Sequence, residues 1–394
     1  MTETERLTLS CRLAALSVFR NLLQDAAVKS LWHFLQEPEP LTQRMAWYGA
    51  FVNALSESGE GLSEHLLRLI CEDENAYVRA VAKGEKVPEG WAQNAEQELA
   101  LLCALTELSA QELTEGLPAG LYVPVFENAP LDLAALYRER LAHIDRYGYG
   151  IFAGTGMFRV QEGEIIPVSA ADTVTLESLV GYLQEREQVI QNTRMLLSGL
   201  PAANVLLCGD AGTGKSSTVK AVANAFFDQG LRLIELRKDQ LRELPAVMDR
   251  IADNPLKFII FIDDLSFNKN DDQFSMLKAA LEGSASAKVG NAVIYATSNR
   301  RHIVKESFSD RAGDDVHRMD TMQELISLSD RFGLVVYFSR PAKALYLEIV
   351  HELARRAGVQ LDPDVLDRKA EAFALAKGNR SGRAAEQFVQ SLLV

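Results

Sequence analysis

Apolar positions recur at helical spacing through the first third of the chain. Between residues 4 and 35 they fall at Leu7, Leu9, Leu13, Leu16, Val18, Phe19, Leu22 and Leu23. The same period covers about 42–57, 61–71, 74–83, 92–108 and 130–145, each long enough for an amphipathic helix. Breaks stand at Glu37–Pro40, Ser58–Gly61, Val87–Gly90 and Gly116–Gly120, where Gly and Pro interrupt the pattern. An all-helical domain over 1–145 is expected, with Trp32, Trp47 and Trp91 packing its helices together.

The pattern then changes. From Tyr147 to Val168, aromatic and β-branched residues alternate with glycines, which predicts short strands or a hairpin. Beyond 175, helix and strand patterns alternate. Helices are expected at 182–198, 215–228, 239–252 and 271–282, and strands at 203–208, 231–236, 257–263, 291–297 and 334–338. Alternation of this kind builds a parallel sheet with helices on both faces. The last stretch returns to helix at 342–357, 363–376 and 382–393. Three domains follow: 1–145 helical, 146–340 α/β, and 341–394 a helical lid.

Directly after the apolar run at 204–208 stand Gly209, Asp210, Ala211, Gly212, Thr213, Gly214, Lys215, Ser216 and Ser217. This is the G-x-x-x-x-G-K-[ST] phosphate loop, set between a strand and a helix as its mechanism demands. The glycines allow the backbone N–H groups to converge on a triphosphate. Lys215 reaches the outer phosphates, Ser216 ligates Mg²⁺, and the following helix adds its positive end.

Further chemistry sits at the ends of later strands. The run 258–262 is apolar and ends in Asp263 and Asp264. Asp263 is placed to hold Mg²⁺ opposite Ser216, partly through water, and Asp264 to orient or deprotonate an attacking water. The strand at 291–297 ends in a polar cap that holds Asn299, a candidate for the γ-phosphate or that water. Arg331 is a candidate arginine finger; the plainer reading pairs it with Asp330 at the surface. Ser381 caps the last helix, and Arg383 stands in its first turn, where the helix dipole does not favour a cation. An anionic partner such as the γ-phosphate explains it, and Arg380 competes for the same role.

Charge and composition narrow the partners. Residues 1–140 hold 11 basic and 21 acidic residues, and the remainder 30 and 33. An acidic first third suits a basic protein partner and argues against a nucleic-acid-binding arm there. Arg237, Lys238, Arg242, Arg300 and Arg301 compose a candidate nucleic-acid patch, although a solvated or intersubunit charge set is the preferred reading. The four cysteines form no C-x-x-C pair, so buried free thiols are expected rather than zinc or disulfides. The segment 307–322 carries Asp310, Asp314, Asp315 and His317; an insertion is preferred over a metal site there. No run reaches membrane-span length and no signal segment is evident, so a cytoplasmic location is expected.

Taken in order, the phosphate loop, the Asp-Asp strand, Thr297-Ser-Asn, Asp330-Arg-Phe-Gly and the helical end with Gly378-x-x-x-x-Arg resemble an AAA+ ATPase. In that family these are Walker A, Walker B, sensor 1, the arginine-finger box and sensor 2. The segment 175–182 resembles the one lining the adenine pocket, which places Val180, Gly181 and Tyr182 near the base. More narrowly, the runs at 262–267, 295–302 and 327–334 resemble a bacterial AAA+ group catalogued only as a domain of unknown function. The resemblance covers about 146–394. It implies ATP and Mg²⁺ as ligands, hydrolysis, a homo-oligomer with the site at a subunit interface, and a macromolecule to be remodelled or loaded. Two departures stand out. The second Walker B acid is Asp264 where the family usually has Glu, which leaves room for slow hydrolysis and a switch-like role. The run at 237–242 also lacks the aromatic–apolar–Gly pore loop of unfoldases.

Overall fold

The computed structural model describes residues 1–36, 40–118, 120–170, 172–265, 276, 277, 281, 290–299 and 331–393. They form two compact units, Met1–Gly154 and Thr155–Val394. Residues 146–154 therefore pack with the helical unit rather than with the α/β one. Among the described residues no helix is long and apolar enough to cross a membrane.

Among the described residues the regular elements of the first unit are all helices, the longest being Leu41–Ser58 and Glu89–Thr106, with an irregular stretch at 121–132. The continuous apolar periodicity at 4–35 does not make one helix. Helices Glu3–Ala14 and Ala26–Leu35 are separated by a 3₁₀ turn at Arg20–Gln24. The reason lies in a distant residue. The buried carboxylate of Glu98 accepts the backbone N–H groups of Ser17 (2.8 Å), Val18 (3.1 Å) and Phe19 (2.9 Å). Those donors are spent on a side chain, so a helix cannot run through them. Asp25 then caps the second helix through the N–H groups of Ala27 and Val28. Leu13, Phe19, Leu31, Phe34, Phe51, Leu66 and Leu102 belong to one core. Trp32 and Trp47 pack against it, but Trp91 is 42 % exposed and does not. Of the cysteines, Cys71 and Cys208 are buried whereas Cys11 is exposed.

The second unit is the expected α/β fold: a mostly parallel seven-stranded sheet with flanking helices and a helical lid. Its strands are β1 Met157–Gln161, β2 Glu164–Pro167, β3 Val205–Gly209, β4 Leu231–Glu235, β5 Lys257–Ile262, β6 Ala292–Ser298 and β7 Leu334–Phe338. The sheet order is β2-β1-β4-β5-β6-β3-β7. The predicted hairpin is β1–β2, the one antiparallel pair among the described residues, and β1 also extends the sheet by pairing parallel to β4. The central strands are buried on both faces, as their near-continuous Val, Ile, Leu and Phe runs require. The predicted helix at 239–252 is a 3₁₀ turn, Lys238–Glu243, followed by the helix Leu244–Ile251. Pro245 sits in the first turn of that helix, where its missing N–H costs nothing. The helix predicted at 271–282 lies largely outside the described residues.

Two features matter for the site. Strand β3 lies between β6 and β7, with β5 beyond β6. The chain leaves β3 toward β4 in one direction and returns past β3 from β6 to β7, so the carboxyl ends of β3, β5 and β6 flank a topological switch point. The lid helices Lys343–Arg356, Pro363–Ala376 and Gly382–Gln390 form their own small core around Tyr346, Val350, Ala370 and Phe388.

Candidate functional site

The phosphate loop is held open by three glycines in left-handed conformations, Gly209 (φ 139°), Gly212 (φ 76°) and Gly214 (φ 88°). At Gly209 a Cβ would stand 2.0 Å from the Phe338 carbonyl oxygen on β7. Only glycine lets the loop leave β3 at that point. Gly214 is the cap of the helix Lys215–Ala225. Lys215 is 5 % exposed. It donates to the carbonyl oxygens of Gly209 (3.0 Å) and Asp210 (2.7 Å) and to Oδ1 of Asn299 (3.1 Å). Burial pushes its pKa down from the ordinary lysine value, and the charges of Asp210, Asp263 and Asp264 oppose this.

The two strand-end acids are tied into the loop. Ser216 Oγ donates to Oδ1 of Asp263 at 2.6 Å, and Thr297 Oγ1 donates to the same oxygen at 2.5 Å. Asp264 has φ 52°, a conformation Asp tolerates better than most residues. Its N–H donates to Thr297 Oγ1 (2.9 Å), and its Oδ1 accepts from Nδ2 of Asn299 (2.7 Å). Asn299 thus bridges Lys215 and Asp264. The hydroxyl of Ser216 and the carboxylate of Asp263 form an all-oxygen set of the kind a hard divalent cation such as Mg²⁺ takes.

The lid closes over this arrangement. The Arg383 N–H donates to the Gly212 carbonyl at 3.3 Å, and a Cβ on Gly382 would come within 3.2 Å of that same oxygen. Arg340 N–H donates to Oδ2 of Asp210 (3.1 Å), while its guanidinium donates to the Gly378 carbonyl (3.0 Å). At the wall formed by 179–182, Tyr182 donates through its hydroxyl to the Ser339 carbonyl (2.6 Å). Gly181 has φ 74°, and a Cβ there would lie 2.8 Å from Leu345 of the lid.

Together these residues line a cleft of about 700 Å³ that contains Val180, Tyr182, Ala211, Gly212, Thr213, Gly214, Lys215, Ser216, Ser217, Asp263, Asp264, Asn299 and Arg383. Its volume falls within the range of small-molecule sites. Arg383 lines the cleft, whereas Arg380 forms a two-point ion pair with Glu371 at 2.8 and 3.1 Å.

Arg331 is not brought to the cleft. It precedes β7, whose Leu334 pairs with Val205 at the start of β3 and whose Phe338 pairs with Gly209 at the loop. The strands run parallel, so Arg331 precedes the end of β7 that lies away from the phosphate loop. In the basic patch, Arg237 is paired with Asp239 at 3.0 Å, while Arg300 and Arg301 lie outside the described residues. Asp310, Asp314, Asp315 and His317 lie outside them as well. Among the described residues no group of three or more His, Cys, Asp or Glu is placed to hold a metal ion.

Sequence reasoning missed four residues that shape the site. Thr297 was legible in principle, since it stands two positions before Asn299 and strand alternation puts both on one face. Arg340 and Arg356 carried no local signal, because each acts on backbone carbonyls far from it in the chain; Arg186 acts on carbonyls four to seven residues before it, but backbone acceptors leave no mark in a side-chain pattern.

Residues 155–394 match the family model described as "Protein of unknown function (DUF815)", and the chain belongs to that family. No curated protein matches it. Among solved structures, the chain is similar to the Thermotoga maritima RuvB Holliday junction branch migration motor at 12 % identity, over 56 % of this chain and 71 % of that one, with a TM-score of 0.34. A single-substitution variant of the same motor matches at 13 % identity, with the same coverage and TM-score.

Proposed function

We propose that this member of the DUF815 family is an AAA+ ATPase that binds ATP with Mg²⁺, hydrolyses it at a subunit interface of a homo-oligomer, and uses the cycle to remodel or load a macromolecular partner in the cytoplasm. One observation carries the reading. Lys215, the Ser216–Asp263 pair, Asp264 and Asn299 meet in one cleft although they come from three separate strand ends.

Each residue has a defined task. Lys215 and the loop N–H groups neutralise phosphate charge. Ser216 and Asp263 would hold Mg²⁺, which would supply positive charge to offset the charge developing on the phosphates. Asp264 accepts the proton of the attacking water, and Asn299 orients that carboxylate. Arg383 answers the γ-phosphate from the lid. Val180, Gly181 and Tyr182 border the base. Arg331, remote from its own loop, serves the site of a neighbouring subunit. The acidic helical unit selects the protein partner, and the pairing of Arg237 with Asp239 leaves nucleic acid the less favoured partner.

A second reading is a slow ATP-dependent switch acting on a nucleic-acid-associated complex. Asp264 supports it. Its side chain is shorter than Glu, and it is held by Asn299 on a backbone at φ 52°. Turnover and mass, with and without ATP, separate the two readings. An ATP-dependent oligomer whose turnover vanishes in Lys215→Ala and Asp264→Asn supports the motor. A monomer that binds ATP without turnover supports the switch, and absence of ATP binding defeats both.

A further inference from the structure

We propose that Arg356 is a positioning residue that fastens the lid to the base side of the cleft, so that lid position and nucleoside recognition are one variable; this rests on the nucleotide-binding reading above. Arg356 is the last residue of the lid helix Lys343–Arg356. Its Nη1 donates to the Ser178 carbonyl at 2.6 Å and its Nη2 to the Glu177 carbonyl at 2.8 Å. Its Nε donates to Oε1 of Glu352, one turn earlier, at 2.7 Å. Glu352 therefore fixes the plane of the guanidinium, and the rigid fork takes two consecutive carbonyls.

Those carbonyls belong to the 3₁₀ turn Leu176–Ser178, directly before Leu179, Val180 and Tyr182 of the cleft wall. The same segment is gripped from the other flank. Buried Arg186, on the core helix Leu183–Leu197, donates to the carbonyls of Leu179 (2.7 Å) and Gly181. One guanidinium thus anchors the base-side wall to the core and the other anchors it to the lid. Leu345 and Ile349 of the lid helix rest against Gly181 between these anchors. Removing the Arg356 fork leaves the Glu177 and Ser178 carbonyls to water and takes away this polar tie between the lid helix and that wall, with the packing of Leu345 and Ile349 on Gly181 still in place. The hydrogen bonds of Lys215, Ser216 and Asp263 involve neither the lid helix nor that wall. The loss therefore falls on the nucleoside half of the ligand and spares the phosphate half.

The test is calorimetric titration of the full-length protein with ADP and, separately, with inorganic pyrophosphate, beside steady-state turnover. Arg356→Ala is expected to weaken ADP about tenfold, a conservative share of a charged donor's two carbonyl bonds at a partly exposed site. Pyrophosphate affinity should stay within about twofold, and turnover should show a raised KM with kcat nearly kept. Arg356→Lys, which offers a point charge without the fork, should fall between. ADP affinity equal to wild type overturns the proposal, as does an equal loss for both ligands. If Arg356→Ala does not fold, Glu352→Gln removes the orienting carboxylate, and the same ADP-selective loss is expected in smaller degree. Wild-type protein that binds neither ligand overturns the nucleotide reading itself. Wild type that binds ADP, with an unaltered Arg356→Ala, overturns the role of Arg356 alone.

Discussion

Arg331 tests most directly whether the site is completed by a neighbour. The register of β7 against β3 sets the scale. Arg331 precedes β7, whose first residue Leu334 lies four strand steps before Phe338, the partner of Gly209 at the loop; at about 3.3 Å per residue the strand alone separates them by roughly 13 Å. No arginine side chain spans such a gap, so a finger at this position acts on another subunit or not at all. Loss of a finger lowers kcat by about 10³-fold or more, close to 4 kcal/mol of transition-state stabilisation. Arg331→Ala should therefore bind ATP and fail to turn it over, whereas Lys215→Ala fails for want of its own phosphate contact. The decisive assay mixes the two inactive proteins under conditions of subunit exchange. In a head-to-tail ring, a site works when its own Lys215 and its neighbour's Arg331 are both intact. For random equal mixing that holds at about a quarter of the interfaces, so about a quarter of wild-type activity should return. A mixture that co-assembles yet stays inactive would falsify the in-trans assignment. Unchanged turnover in Arg331→Ala alone removes the residue from the site.

Two further outcomes follow from other parts of the molecule. Gly209→Ala drives a Cβ into the Phe338 carbonyl at 2.0 Å and keeps a φ of 139°; a backbone atom cannot step aside cheaply, so a cost of about 3 kcal/mol is expected. For a unit of this size that lowers Tm by about 6–12 °C, and a melting curve superimposable on wild type would refute the contact. In the helical unit, His65 is 4 % exposed between Asp25 and Glu60, at 3.0 Å from each, with Arg68 beside it. Burial alone would lower its pKa, but the hydrogen bond and charge of Asp25, joined by Glu60, raise it above the usual 6.5. A raised folded-state pKa gives a stabilisation that is complete below about 6.5 and fades as pH climbs through the folded value. His65→Gln should therefore lower Tm more at pH 6 than at pH 9, and an equal or reversed difference would exclude a charged His65.

Much of the candidate site was legible because its chemistry is local. The phosphate loop needs glycines and Lys-Ser at set spacing, and buried parallel strands need apolar runs that end where polar groups begin. Asp263, Asp264 and Asn299 could be read as strand-end residues from that pattern alone. The choice between Arg380 and Arg383 could not. Both stand in the same turn, and only the position of Glu371 on the preceding lid helix engages one guanidinium and leaves the other lining the cleft. The break after Ala14 was equally hidden, since the donors of Ser17 to Phe19 are claimed by Glu98, some eighty residues away.

The sequence by itself determined the class of fold, the phosphate loop and the identity of the acids, because backbone conformation and hydrophobic period are short-range properties. Which side chains share an atom is a matter of tertiary structure: Thr297 and Ser216 both donate to one oxygen of Asp263, and Asn299 joins Lys215 to Asp264. Strand order brings the ends of β3, β5 and β6 together, and that order is set by how whole faces are buried against one another, which no local window of residues encodes.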